Sequence, residues 1–500
     1  MNLRTTLILL AALATLAVAQ PPQPDTLAGR PRVIVLSDIG NEPDDQMSLV
    51  RFLLYSNQFD VEALIATTST WQRKAVRPEI MHTVIEAFGK VQPNLLKHGT
   101  GWLTGPELDA KVSSGQPAYG LASTGPDQAS EGATAILRAV DRDDPRPLWI
   151  TIWGGANTLA QALLQLRATR PQDVDKIVAR LRVYSISDQD DAGPWIRREF
   201  PALHYIVQPT SPNSGEYYYA TWTGISGDVY YRNGLGANTT IVTNEWLDTN
   251  IRSKGPLGKA YPKFMFIMEG DTPSFLGLID NGLNAFRRAD WGGWGGRYIY
   301  RQPYGETHPI WTQGGDMFGR VTSQDQVGEH ISDQATIWRW REAFQNDFAA
   351  RMDWTIQDYA HANHNPVVEV NGQSGTAPIQ MEAKVGEPIT LDASKTTDPD
   401  KGQTLKFNWF HYQEAGSVGS NMAAVNLSGS PSEPRPSRSG AALGAMVTVT
   451  PTAVCRPQWL PGRERCEGTG KAHIILAVTD NGMPALTSYR RIIFTVRAAK

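Results

Sequence analysis

Cysteine is nearly absent from this chain. Two are found in 500 residues, Cys455 and Cys466, both in the last fifth. So few sulfurs count against a thiolate metal centre, a cysteine nucleophile or a disulfide-dense scaffold. One local disulfide between the pair is the expectation for an exported protein. Long apolar runs are missing after residue 19, which leaves no later membrane-spanning candidate. Neither sign of charge is in excess: 47 Lys and Arg stand against 50 Asp and Glu, a net of -3. That balance gives no electrostatic footprint for nucleic acid or an anionic membrane surface. The nine His have no metal-ligand spacing. A phosphate-binding loop, a dinucleotide fingerprint and a serine nucleophile elbow are also missing.

What is present describes a globular protein with ample core. Apolar residues make up 41% and charged residues 19%, and the length points to two domains. Met1 to Ala19 reads as a signal peptide. Arg4 supplies the charge, Leu7 to Leu16 the apolar region and Ala17-Val18-Ala19 the small-residue cleavage site. The mature protein is therefore expected to be secreted or periplasmic. The 15 Trp and 16 Tyr are many for the length. Core packing takes most of them, and surface ones suit stacking on sugar rings.

From residue 30 to about 360, strands alternate with helices. Val33–Leu36, Val61–Thr68, Leu148–Trp153, Leu181–Ser187 and Phe264–Met268 read as strands. Ser48–Tyr55, Arg77–Phe88, Ser130–Val140, Thr158–Arg167 and Gln334–Phe348 read as helices. The fold class this implies is α/β, a doubly wound, mostly parallel sheet. Residues 211–262 and 285–330 read as long loops, and Trp291 and Trp294 there could form a sugar platform or a packed loop. From 365 to 500 the pattern changes to short alternating strands, an immunoglobulin-like β-sandwich. Within it Asp398-Pro399-Asp400 reads as a tight turn or, less simply, a calcium loop, and 416–444 as a loose insertion.

The stretch Arg32 to Ser48 carries the chemistry. An apolar strand ends in Ser37 and Asp38, and Gly40, Glu42, Pro43, Asp44 and Asp45 follow. Four carboxylates so close must share protons or hold a cation. One Asp would suit a helix cap; four suit it poorly. Hard oxygen ligands favour calcium or magnesium over zinc. An apolar strand followed by acid or Gly recurs at Asp38, Trp153, Asp188 and Asp271. If the strands are parallel, all four fall on the edge where such sheets bind ligands.

These residues resemble the signature of nucleoside hydrolases, in which a strand ends in Asp and an Asp pair follows a Gly-containing loop. Trp153-Gly154-Gly155-Ala156-Asn157 is similar to their Gly-containing turn, and Glu269-Gly270-Asp271 to their late strand-end acid. The whole layout more closely resembles a bacterial family described as cellulose-binding, nucleoside-hydrolase-like proteins. The resemblance implies calcium held by Asp38, Asp45, Asp271 and the backbone carbonyl of Trp153. It implies Asp38 as the catalytic base that activates water, Asp44 as a contact for substrate hydroxyls, and an inverting displacement.

The departures shape the substrate expectation. Gly270 stands where nucleoside hydrolases commonly carry a His, and Asp188, Gln189, Asp190, Asp191 and Trp195 replace their sugar-binding Asn cluster. A saccharide, such as a plant cell-wall glycan, therefore becomes the expected substrate. Asp44, Trp71, Asp188, Asp191, Trp195 and Glu306 are the candidate substrate-binding residues. Glu42, Asp188, Asp191, Glu269 and Glu306 are candidates for a general acid. The leading expectation is a secreted, calcium-dependent glycosidase. Its rivals are a non-catalytic cellulose- or carbohydrate-binding protein and an exported nucleosidase. The partner expected is a carbohydrate, with no nucleic acid, no membrane after signal cleavage, and a homo-oligomer left open.

Overall fold

A computed structural model describes residues 22–25, 29–125, 129–210, 215–228, 233–314, 321–429, 444–455 and 468–499. The signal-peptide stretch and Cys466, hence its pairing with Cys455, lie outside the described residues.

Strand β1 (Arg32–Ser37) is buried along its whole length. Its residues divide between two cores: Val33 and Val35 join one cluster, Ile34 and Leu36 the other. That is the mark of a strand covered on both faces. Around it assemble β2 (Asp60–Ala66), β3 (Val112–Ser114), β4 (Leu148–Ile152), β5 (Leu181–Ser185), β6 (His204–Ile206), β7 (Ile299–Arg301) and β8 (Ile310–Thr312). The order is β3-β2-β1-β4-β5-β6-β8-β7, parallel except for the β7/β8 pair. The sheet is thus mostly parallel and doubly wound. The connection reverses direction between β1 and β4, which lie side by side. Ligands in such sheets bind outside the carboxyl ends at that switch point.

Helix α1 (Asp44–Leu54) starts at Asp44, so Asp44 and Asp45 stand on its first turn rather than in a loop before Ser48. Helix α2 (Pro78–Gly89) and the helices Glu131–Val140 and Asn157–Thr169 follow close to their expected positions.

Two further expectations for this unit need correction. Phe264–Met268 is not a strand of the sheet: Ile267 makes a single bridge to Asp228, and Met265 and Phe266 are exposed. The position beyond β6 is taken by β8, so the sheet has no place for this segment. The helix expected over Gln334–Phe348 is broken into Ala335–Trp338 and Arg341–Asp353. Of the two readings of Trp291 and Trp294, the packed loop holds: they are buried, at 5% and 2% exposure, and offer no sugar platform.

The second unit is strand-rich. Ile379–Lys384 lies parallel to Thr487–Arg497, which pairs antiparallel with Thr469–Thr479 and, through it, Lys406–His411. A second sheet joins Ile389–Asp392, Met446–Ala453 and Ala424–Ser428. Trp409, Leu391, Val449, Ile474 and Phe494 fill the space between them, the arrangement of a sandwich. Part of the expected loose insertion is therefore an edge strand, Ala424–Ser428; residues 430–443 lie outside the described ones. Asp398 accepts the Asp400 backbone N–H at 2.8 Å, the geometry of a turn.

The two units share packing. Trp294 meets Phe344 and Tyr489 edge-on, and Trp291 meets His473. Asp325, fully buried, sits between Arg297 and Arg339, each at 2.8 Å, and accepts the Tyr412 hydroxyl of the sandwich at 2.6 Å. Among the described residues no helix is long and apolar enough to cross a membrane.

Removing one member of a buried ion network strands the others. Asp325→Ala should lower unfolding free energy by about 3–5 kcal/mol, and Tyr412→Phe by about 1 kcal/mol. Chemical denaturation monitored by tryptophan fluorescence checks both.

Candidate functional site

The acid stretch is held by small hydroxyls. Ser37 accepts the Ile39 backbone N–H at 3.1 Å and donates to Asp45 Oδ1 at 2.5 Å. Ser69, past the end of β2, accepts the N–H groups of Trp71 and Gln72 at 3.0 and 3.1 Å and donates to the Asp38 carboxyl. Gln72 Nε2 donates to the Asp38 carbonyl at 3.1 Å. The turn after β4 comes so close that a Cβ on Gly154 would lie 2.6 Å from Asp38 Oδ1, so only glycine fits there.

Asp44, Asp45 and Asp271 each place a carboxylate oxygen within 4.8 Å of the others. Asp38 completes the group electrostatically, since it acts on each of the three. Residues more than two hundred positions apart therefore meet at one rim, beside the β1/β4 switch point. Burial drives all four carboxyls upward, and mutual repulsion adds to it; Asp38 is pushed up to about 7. Asp44 Oδ1 and Asp271 Oδ2 are buried with no hydrogen-bond partner. Orphaned carboxylate oxygens of this kind fit a hard cation, which accepts six to eight oxygens. The Trp153 carbonyl accepts Gln189 Nε2 at 2.5 Å, and a carbonyl oxygen carries two lone pairs.

The other candidates are placed as follows. Trp71 is 43% exposed on the loop that carries Ser69. Asp188 and Glu306 are bound from two sides to buried Arg197, at 2.8 and 2.7 Å, so both are committed to an ion triad. Trp195 packs on Phe200 and Arg167. Asp191 accepts the Leu121 N–H at 2.7 Å. Glu269 is fully buried against Arg51. Of the candidate acids, only Glu42 acts on Asp38, Asp44, Asp45 and Asp271 at once; its own carboxyl is raised chiefly by burial.

Two residues escaped sequence reasoning. The Tyr217 phenol is raised well above its usual value, first by burial and then by Asp44, Glu42, Asp271 and Asp38. It therefore stays protonated and able to donate a hydrogen bond beside the carboxylates. Trp222 packs on Tyr217 at 4.9 Å and would lie 3.2 Å from a Cβ on Gly270. That same Cβ would lie 2.8 Å from Asp44 Oδ2, so no side chain fits at 270 without moving Asp44. Both aromatics lie in a weakly periodic stretch that gives no positional signal.

A carboxyl whose folded pKa is raised stabilises the fold below its unfolded pKa, and this is lost as pH rises through the folded value. For Asp38 the window runs from about 4 to about 7. Asp44→Asn should therefore raise the melting temperature of the metal-free protein at pH 8 and leave it little changed near pH 4.5. Calorimetric melts of variant and wild type in EDTA at the two pH values check this.

The family model of the cellulose-binding Sde182, nucleoside hydrolase-like domain matches residues 32–298, and that of the Sde0182 C-terminal domain matches 388–496. No curated protein matches. A solved structure from Saccharophagus degradans, a nucleoside hydrolase-related hypothetical protein associated with carbohydrate metabolism, is 34% identical. It covers 94% of this chain and 100% of its own, with a TM-score of 0.73. The effector protein XOO4466 is 11% identical, over 68% of this chain and 95% of its own, with a TM-score of 0.36. The type III effector XopQ, solved complexed with adenosine diphosphate ribose, is 10% identical over 68% and 96%, with a TM-score of 0.35. Both effector likenesses are too weak to bear on this chain. On the match over residues 32–298 and the 34% identity across nearly its whole length, the chain belongs to the cellulose-binding, nucleoside-hydrolase-like Sde182 family.

Proposed function

We propose that this protein is an exported, calcium-dependent glycosidase acting on a saccharide of the plant cell-wall kind. The observation that carries the reading is the orphaned, buried Oδ2 of Asp271 in a carboxylate group that repels itself, with the equally orphaned Asp44 Oδ1 beside it to meet substrate. Asp45, Asp271 and Asp38, with the Trp153 carbonyl, would hold calcium, and Asp44 would accept substrate hydroxyls. When bound, calcium supplies charge that neutralises the cluster, orients the sugar and lowers the pKa of a water. Asp38, braced by Ser69, takes the proton from the attacking water as the C–O bond at the anomeric carbon breaks. Water attacks from one face and the leaving group departs from the other, so the anomeric centre inverts. Glu42 and Tyr217, both beside the acid cluster, would be the donors to the departing oxygen.

Non-catalytic polysaccharide binding is the second reading. Trp71, Tyr219 and Phe266, at 43%, 55% and 44% exposure, support it: each is on a segment that also carries, or directly precedes, a residue acting at the acid cluster. An exported nucleosidase is the third, weakened by Gly270.

Calorimetric titration should show one calcium site, lost in Asp271→Ala. Cell-wall oligosaccharides should release sugar of inverted anomeric configuration. Asp38→Ala should lower that rate by about 10²–10⁴-fold. Undiminished hydrolysis by Asp38→Ala would remove the assigned chemistry. Retention on cellulose with no sugar released would favour the binding reading, and free base from inosine or uridine the nucleosidase.

A further inference from the structure

Asp271 reaches the cluster with no strand of the sheet beneath it, so other contacts must fix its place. Two residues earlier, Glu269 adopts φ +58°, a left-handed conformation uncommon for a residue with a side chain. Its carboxylate is fully buried and accepts three hydrogen bonds, from Arg51 Nη2 at 3.2 Å, the Tyr261 hydroxyl at 2.5 Å and the Thr272 hydroxyl at 3.0 Å. Arg51 Nε adds an ion-pair contact at 2.6 Å. Arg51 stands on α1, under two turns beyond Asp44 and Asp45. It is itself fixed by the Phe344 carbonyl at 3.3 Å, by Gln345 Oε1, and by the Phe348 ring 3.9 Å away. The Thr272 hydroxyl also lies 3.1 Å from Ser48 Oγ on α1. On the far side, Ser274 donates to the Asp271 carbonyl at 2.6 Å and accepts Trp153 Nε1 at 2.9 Å.

We infer that Glu269 is the positioning residue for Asp271. Its ion pair with Arg51 fastens the turn 269–272 to α1, the helix that presents Asp44 and Asp45, so the late acid and the early pair keep one spacing. The pair is neutral within itself, so it sets distance without cancelling the charge of the cluster. Glu269 therefore acts through Asp271 and does not touch substrate. The metal-affinity consequence rests on the calcium reading above; the backbone consequence does not.

The test separates position from stability. Replacing a buried ion pair by apolar residues of similar volume is often neutral for stability, so the double variant Arg51→Met/Glu269→Leu removes the clamp with the fold kept. Tyr261→Phe deletes one bond to Glu269 and strands no charge. Calcium is titrated calorimetrically into wild type and both variants, and amide hydrogen exchange across residues 266–274 is followed in EDTA. Expected are a calcium Kd weaker by roughly tenfold or more in the double variant, a smaller loss in Tyr261→Phe, and faster exchange over 266–274 in both. Folded variants with wild-type Kd and wild-type exchange would overturn the inference. A wild type that binds no calcium would end the metal reading alone. Exchange would still decide on Glu269: faster in Tyr261→Phe supports the clamp, and unchanged refutes it, even if the double variant fails to fold.

Discussion

Four carboxylates that repel one another beside the carboxyl end of β1 are the constraint around which this molecule is built. Folding brings Asp38, Asp44, Asp45 and Asp271 out of water into a space where burial and proximity both disfavour their charge. An arrangement that unfavourable persists only if the rest of the fold over-determines it. The surroundings do so with short, directional bonds. Ser37 fixes Asp45, Ser69 fixes Asp38, and the Gly154 turn closes on Asp38 with no room for a side chain.

The rest of the chain extends that restraint outward. Arg51 and Glu269 join the helix after β1 to the segment that carries Asp271. The helix Arg341–Asp353 backs Arg51 through Phe344, Gln345 and Phe348, and Phe344 in turn packs on Trp294. Trp294 meets Tyr489 of the sandwich, and Asp325 gathers Arg297, Arg339 and Tyr412 across the same joint. The sandwich is thus connected to the site through a few packed side chains rather than by a free linker. Two aromatics that could have met sugar, Trp291 and Trp294, are used for that contact.

Much of the fold and the acids of the candidate cluster were legible in the residues. Strands β1, β4 and β5 announce themselves as apolar runs ended by acid or glycine, and β2 as an apolar run ended by hydroxyls, because a strand buried on both faces tolerates little else. Asp38, Asp44 and Asp45 were visible for the same reason: each follows β1 or opens the helix after it; Asp271 was singled out by the apolar run before it, although that run joins no sheet. Phe264–Met268 misled because an apolar run does not say whether a sheet has a place for it. The partner of Asp188 and Glu306 was not legible, because a carboxylate in a loop gives no sign of it; Arg197, nearby in the chain for one and far for the other, pairs with both. Tyr217 and Trp222 were invisible because their stretch has no period to read.

The sequence by itself determined that an apolar strand would deliver a knot of acids to the edge of a parallel sheet, and that a β-sandwich would follow. Local pattern suffices for this, since strand burial and turn chemistry are properties of neighbours in the chain. Only the tertiary structure decided which acids share one space, which are taken up by arginines, and which aromatics face the cluster. Those outcomes depend on contacts between residues hundreds of positions apart, where distance and burial, not order along the chain, set the electrostatic balance.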